Sequence, residues 1–516
     1  MAQTSSRSTS PSHQDSKVAD SEAPKFTWAS LWQKPSINSL NGKSYTLPIF
    51  NLNNPYGRNF HLAWLGFFVA FLLIVCSHSG FAFPPLIPEA IKADLGLTSA
   101  QVANSNIVAL SATLIVRLIS GPLVDRYGPR IVMASLLILG AIPSGLAGTA
   151  NNASSLYVIR FFIGILGGTF VPCQAWTSSF FDKNIVGTAN AFVGGWGMST
   201  YAIMVSLYSR LHSVMDRSKA WRVAFVAVPV PTLLLTAALT LIYGTDHPAG
   251  KWSDRHKFAA GLTGAAATQA EKANEKDKET GAVTVHEVNS TDLHELHTEH
   301  KNIVTVDIAV NQPLTFKSAM QILSNPLTWL PALAYMTTFG FELAVDSVLA
   351  HVLMDIDKNL TLLNAGYLAS VFGLLNIWTR PFGGYVADRL YVRFGVAAKK
   401  WITLVLGVLQ GVFTVGFGYY IHNLEHPDLG VVMGFIVLIA ICNEMANGTN
   451  FSLVPHCNSY NNGVMSGLVG AFGNVGGIFF ALIFRFQPHR GTPWIISGFF
   501  ALGVNLVLMA FPAPRA

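Results

Sequence analysis

Charge is scarce in this chain. Only 12% of its 516 residues are Asp, Glu, Lys or Arg, against about a quarter in an ordinary soluble domain. So little charge over such a length excludes most soluble architectures and points to a chain embedded in lipid. Cysteine is scarce as well. Cys76, Cys173, Cys442 and Cys457 lie in or beside apolar runs without paired metal-ligand spacing, so neither a metal site nor a disulfide framework is expected. Residues 1–56 are polar and rich in Ser, Asn and Pro. They do not read as an apolar leader, and the first apolar run is expected to direct insertion itself. The chain has no G-x-S-x-G, no H-E-x-x-H and no nucleotide-binding loop, which argues against an enzyme and against an ATP-driven pump. No basic cluster is interleaved with aromatics, so the net charge of +6 does not suggest nucleic acid. No cofactor is expected.

What the chain has in abundance is apolar sequence. Roughly 20 largely apolar residues cross a bilayer, and twelve runs qualify: 61–88, 99–122, 130–149, 154–180, 184–209, 222–244, 326–350, 361–385, 401–421, 429–454, 462–485 and 493–512. They predict four regions: a polar tail over 1–60, a six-helix bundle over 61–244, a solvated and partly disordered linker over 245–325, and a second bundle over 326–516. The linker expectation rests on its charged, polar composition, as in EKANEKDKET. Arg126 and Arg130, then Arg389, Arg393, Lys399 and Lys400, and the linker cations share one side. By the positive-inside rule that side is the cytoplasm, and both termini join it. The gap between the fifth and sixth runs breaks the rule with Arg210, Arg217, Lys219 and Arg222.

The two halves repeat each other. Arg117, Gly121, Asp125 and Arg126 form R-x3-G-x3-D-R at the end of the second run, and Arg380, Gly384, Asp388 and Arg389 repeat it at the end of the eighth. Gly187, Gly194 and Gly197 of the fifth run correspond to Gly463, Gly470 and Gly473 of the eleventh. Parallel six-helix repeats joined by a long middle loop describe an all-α membrane protein of twelve helices, the major facilitator architecture.

More specific stretches are VRLISGPLVDRYGPR, RFFIGILGGTFVPCQ, NGTNFSLVPH and GAFGNVGGIFFALIFR. Together they resemble the nitrate/nitrite porter family of the major facilitator superfamily, most of all its fungal high-affinity members. The resemblance covers about residues 45–250 and 315–490. It implies a multi-pass plasma-membrane carrier of nitrate or nitrite working by alternating access. One departure stands out. The family's Gly-Asn signature is kept as Gly473-Asn474 in the eleventh run, but the fifth reads Gly197-Met198.

Charges inside a membrane helix are costly and need a reason. Arg117 and Arg380 occupy equivalent places in the two halves. Nitrate is a planar anion that only accepts hydrogen bonds, and guanidinium is a planar fork of donors. A symmetric pair of Arg near the midplane suits that anion, and the resemblance implies the same role. The competing reading pairs each Arg with a buried acid, Glu342 or Glu444. Asn474 lies on the glycine stripe Gly463, Gly467, Gly470, Gly477 and can donate to an oxyanion or join helices. Met198 offers bulk without a donor, or simply packs, and Phe83 is expected to line the site. Met198 and Tyr201 leave room for another small anion as substrate, and a nitrate sensor with little flux is a third reading. Gly121, Asp125, Arg126, Gly128 and Arg130, with Asp388 and Arg389, are expected to form a conformational latch, or else a loop anchor. An inside-negative membrane opposes anion influx by about 2.3 kcal/mol per 100 mV, so import needs a coupled cation. Glu342 and Asp346, four apart on one helix face, are the leading proton candidates, ahead of Glu444 and His78. The alternative is that they hold an Arg in place.

Overall fold

The structure is a computed structural model that describes residues 37–38, 44–45, 88–181, 186–196, 200–244, 246–247, 251–255, 314–458, 461–487 and 489–514. Phe83, His78, Cys76 and Met198, and the linker over 256–313, lie outside the described residues. Apart from a short hairpin of two-residue strands, β1 (Ile37–Asn38) with β2 (Ser44–Tyr45), the elements among the described residues are helical.

The N-terminal half contains α1 (Pro88–Leu95), α2 (Ser99–Tyr127), α3 (Pro129–Leu146), α4 (Ala153–Ile163), α5 (Phe170–Phe180), α6 (Val186–Trp196), α7 (Thr200–Val214), α8 (Arg217–Ala227) and α9 (Pro229–Tyr243). The C-terminal half contains α10 (Phe316–Ser324), α11 (Pro326–Ile356), α12 (Leu362–Phe394), α13 (Val396–Asn423), α14 (Leu429–Cys457), α15 (Asn462–Phe486) and α16 (Thr492–Met509). Each half has its own apolar core. Trp176, Leu166 and Trp221 anchor the first, and Phe341, Phe372, Phe417 and Trp494 the second. Large apolar side chains such as Ile119, Ile142, Leu235, Trp378 and Val507 point outward instead, as the lipid-facing surface of a bundle requires.

Eight described helices or continuous helical stretches are long and apolar enough to cross a membrane. The predicted runs differ from the helices in ways that have physical causes. α2 and α12 extend past the apolar runs that predicted them, because the repeated motif continues the helix until Gly128 (φ 91°) and Gly395 (φ 73°) end it. The single helix expected over 154–180 is broken by a 3-10 turn at Gly164–Thr169. There the chain presses on α2: a Cβ at Gly164 would meet the Ala109 carbonyl at 2.6 Å. The run expected over 222–244 starts earlier, at Arg217, and is divided at Val228, just before Pro229. The end of the expected linker is also partly ordered, since Phe316–Ser324 forms a helix with a capping box at Thr315.

The cations that broke the positive-inside rule include one with a structural task. Arg222 pairs with Asp94 of α1, and donates to the carbonyls of Gly148 at 3.0 Å and Ala150 at 3.1 Å. The Trp221 indole donates to the same carboxylate at 3.0 Å. The clamp therefore ties the α1–α2 corner to the turn after α3 and the start of α8. Burial pushes the Asp94 carboxyl up, but hydrogen bonds from Ser218, Arg222 and Trp221 and the Arg222 charge hold it below the ordinary value. A depressed carboxylate lends stability above its ordinary pKa and loses it as pH falls through the lowered one. Asp94→Asn should lower the melting temperature at neutral pH, and the gap to wild type should close below pH about 4. Thermal unfolding in detergent across pH checks this; a gap that persists in acid removes the charge from the clamp.

Candidate functional site

The intramembrane charges gather where α2, α11, α12, α14 and α15 meet. Arg117 is buried on α2. Its Nε donates to the Gly167 carbonyl at 2.9 Å, and one terminal nitrogen donates to the Gly470 carbonyl of α15 at 2.7 Å. Its guanidinium lies over the rings of Phe170 (4.9 Å) and Phe339 (5.3 Å). Gly470 makes this possible, since a Cβ there would stand 3.2 Å from Arg117 Cδ.

Arg380 occupies the matching place on α12 but is held differently. One terminal nitrogen donates to the Tyr335 hydroxyl at 3.1 Å. Its Nε and other terminal nitrogen are fully buried with no hydrogen-bond partner. Gly194 of α6 gives the guanidinium room, a Cβ there falling 2.9 Å from its terminal nitrogen. Among the described residues no ion pair joins Arg117 or Arg380 to an acid. Two charged donors in a protein interior are expensive to leave unmatched. A planar acceptor beside Arg380 would satisfy them.

Aromatic rings frame the pair. Tyr335 and Phe339 stack at 4.7 Å, and Phe451 meets both Tyr335 (5.0 Å) and Phe170 (4.9 Å) edge-on. Phe339 lies under both guanidinium groups, with Arg380 6.0 Å from its centroid. Rings on the faces of a guanidinium leave its in-plane N–H groups for an anion.

The acids lie one turn further along α11. Glu342 is buried. It accepts from Asn376 Nδ2 at 2.8 Å and Asn447 Nδ2 at 2.6 Å. Asn447 is oriented in turn by Asn443, whose amide donates to the Thr338 carbonyl at 2.8 Å. Asp346 is half-buried on the same face. Glu444 of α14 is fully buried, contacts the Thr379 hydroxyl with one oxygen and leaves the other without a partner.

At one end of the molecule the repeated motif crosses between halves. Asp125 accepts from the backbone N–H groups of Gly463 and Val464, each at 3.0 Å, at the start of α15. Asp388 accepts from Gly187 N (3.2 Å) and Thr188 N (2.6 Å) at the start of α6, and from the Thr188 hydroxyl at 2.8 Å. Each carboxylate thus sits on the positive end of a helix of the other half. Gly121 and Gly384 let the backbones touch: their Cβ atoms would fall 2.8 Å from the Gly463 carbonyl and 2.3 Å from the Gly187 carbonyl. Asp388 also pairs with buried Lys399 at 3.0 Å. Lys400 donates to the Met509 carbonyl at 2.9 Å, so these two lysines are not free loop charges.

The other residues expected in the latch make different contacts. Arg126 and Arg389 point outward and lie over Tyr127 and Tyr385 at 5.2 Å. Gly128 packs on Trp252, and Arg130 pairs with Asp246 at 3.6 Å. Trp252 donates to the Asp125 carbonyl at 3.0 Å, so the chain just after α9 braces the motif. Asn474 is buried and donates to the Gly470 carbonyl at 3.0 Å, the same oxygen that Arg117 uses. Tyr335, Phe339 and Phe170 were not anticipated. Their signal was available, because residues 335, 339, 342 and 346 step along one face of α11.

Comparison with known proteins shows the family and the fold. The family model described as Major Facilitator Superfamily matches residues 63–481. Nitrate transporter 2.2 of Chlamydomonas reinhardtii is 30% identical over 485 residues, covering 91% of this chain and 83% of that protein. High affinity nitrate transporter 2.7 of Arabidopsis thaliana is 31% identical over 442 residues, covering 85% of this chain and 79% of that protein. Among solved structures, the proton:xylose symporter XylE matches with a TM-score of 0.61 at 14% identity, over 87% of this chain and 97% of that one. That likeness concerns the fold alone.

Proposed function

Since the chain belongs to the Major Facilitator Superfamily and, within it, to the family of the nitrate transporters, we propose that it imports nitrate, with nitrite as a second substrate. Arg380 carries the reading: a fully buried guanidinium with two unmatched donors, facing aromatic rings and a second Arg. An anion that only accepts hydrogen bonds completes it. Arg117, already anchored on two carbonyls, supplies the second positive charge.

Import against an inside-negative membrane requires a coupled cation, and a proton taken up with each nitrate makes the step electroneutral. The acids beside Arg380 supply the place for it. The latch end, where Asp125 and Asp388 join the halves, is the cytoplasmic end, and the carrier resides in the plasma membrane with both termini inside. With that end closed, the site is reached from outside, and alternating access opens the latch to release the anion.

Isotope-labelled nitrate uptake into cells that lack their own carrier tests this. Saturable accumulation that nitrite suppresses is the expected result. Uptake suppressed by another small anion but not by nitrite would reassign the substrate. Binding without accumulation would make the protein a sensor.

A further inference from the structure

We propose that Glu444 is the side chain that carries the coupled proton, while Glu342 stays ionised as the counter-charge of Arg380. The assignment rests on the proton-coupled import proposed above and names the residue responsible.

Hydrogen-bond counting separates the two acids. Both oxygens of Glu342 face amide N–H groups, from Asn376 and Asn447. The Asn447 amide is not free to turn over. The Thr338 carbonyl can only accept, so Asn443 must present Nδ2 to it and Oδ1 to Asn447. Asn447 must then present Nδ2 to both Asn443 and Glu342. A proton on Glu342 Oε2 would therefore meet a donor. An ionised carboxylate, which only accepts, matches this pocket.

Glu444 shows the opposite pattern. Its Oε2 contacts Thr379 Oγ1, and that hydroxyl also reaches the Leu375 carbonyl of its own helix at 2.8 Å. A hydroxyl has one proton and two lone pairs. The Leu375 carbonyl can only accept, so the Thr379 proton can lie on it and leave a hydroxyl lone pair toward Glu444. In that arrangement a proton on the Glu444 carboxyl completes the contact, with Glu444 as the donor. Its other oxygen is buried without a partner. That is tolerable for the carbonyl oxygen of a neutral acid and costly for a carboxylate. The Thr379 contact thus accommodates a protonated Glu444, and the unpartnered oxygen favours one.

The surroundings suit a carrier that responds to the anion. The charged groups acting on Glu444 are Glu342 and Asp346 of α11 and Arg380 of α12. The described side chains of α6 that pack on α14 include no titratable group. On α13, Lys399 and Lys400 are engaged at the latch end, and on α15 Arg485 bonds Asn104 toward the other. An anion on Arg380 cancels the nearest positive charge and so favours the protonated acid. Glu444 takes H+ from the outer side as nitrate binds and returns it to water on the inner side as nitrate leaves.

Full-length protein in liposomes tests this with labelled nitrate. In wild type, accumulation should rise about tenfold per coupled proton for each unit of inward pH gradient. Glu444→Gln should keep nitrate–nitrate exchange and lose the response to the gradient. Accumulation by Glu444→Gln that still follows the gradient overturns the assignment. A loss of gradient response in Asp346→Asn, with Glu444→Gln unaffected, transfers the proton to Asp346 and overturns it too. Thr379→Val guards against a variant that fails to fold and gives a sign. If Glu444 donates to Thr379, removing the hydroxyl weakens the protonated acid, and half-maximal uptake moves about one pH unit toward acid. A move toward alkali means that Thr379 donates to a carboxylate, and the proposal fails. Wild type that exchanges no nitrate overturns the substrate reading instead. Wild type that exchanges nitrate but ignores the gradient overturns proton coupling, and this assignment with it.

Discussion

Arg380→Lys is expected to abolish nitrate uptake while surface expression survives. Arg380 is fully buried, keeps one nitrogen on Tyr335, and presents two others to nothing in the protein. Lysine retains the charge and the bulk of the stem but cannot offer two coplanar donors. Hydrogen bonds to a charged group contribute roughly 1.5–3 kcal/mol each, so losing two should weaken nitrate binding by a hundredfold or more. Arg380→Met is less informative. It removes a buried positive charge near buried Glu342, a change that can lower expression by itself. Uptake normalised to surface protein, with the nitrate KM, gives the result. A Lys variant with near-normal KM would make Arg380 a structural cation and remove the observation on which the substrate reading rests.

Gly384→Val should be as damaging by a different route. The added Cβ would lie 2.3 Å from the Gly187 carbonyl and 2.7 Å from Ala191 Cβ. Backbone on one side and a helix on the other leave no flexible group to yield. α12 and α6 must separate by on the order of 1 Å, and the Asp388 bonds to Gly187 and Thr188 stretch with them. The latch end then cannot close, and uptake should fall more than tenfold although each half folds. Spin labels at exposed positions 126 and 389, on opposite halves, should read a longer distance than in the parent. Gly503→Ala, where a Cβ meets nothing within 4 Å, is the control. An unchanged distance with lost uptake would place the fault in the site and not in the latch.

The halves, the long helices and the two Arg were legible because each leaves a mark in sequence. Apolar runs reflect the cost of leaving backbone in lipid. The doubled motif repeats since both halves solve the same crossing, with a glycine for contact and a carboxylate for the facing helix end. The marks fail where identical residues do different work. Arg126 and Arg389 match the pattern as well as Asp125 and Asp388, yet they rest on surface tyrosines. Lys399 reads as a loop charge and is in fact buried against Asp388. Tyr335 and Phe339 look like packing in an apolar helix until the guanidinium groups are seen beside them. The breaks at Gly164–Thr169 and Val228 were hidden because hydropathy continues across them while the backbone geometry does not.

Arg117 spans the seam of the molecule with a single side chain. Its Nε bond to Gly167 stays within the first half, and its terminal bond to Gly470 reaches into the second. In the alternating-access cycle proposed above, the first bond travels with the arginine as the halves part and the second must be surrendered. On the anion-binding role proposed for Arg117, the nitrogen that fastens the shut molecule is also the donor freed in the open one, so that fastening and the hold on the anion cannot be tuned separately.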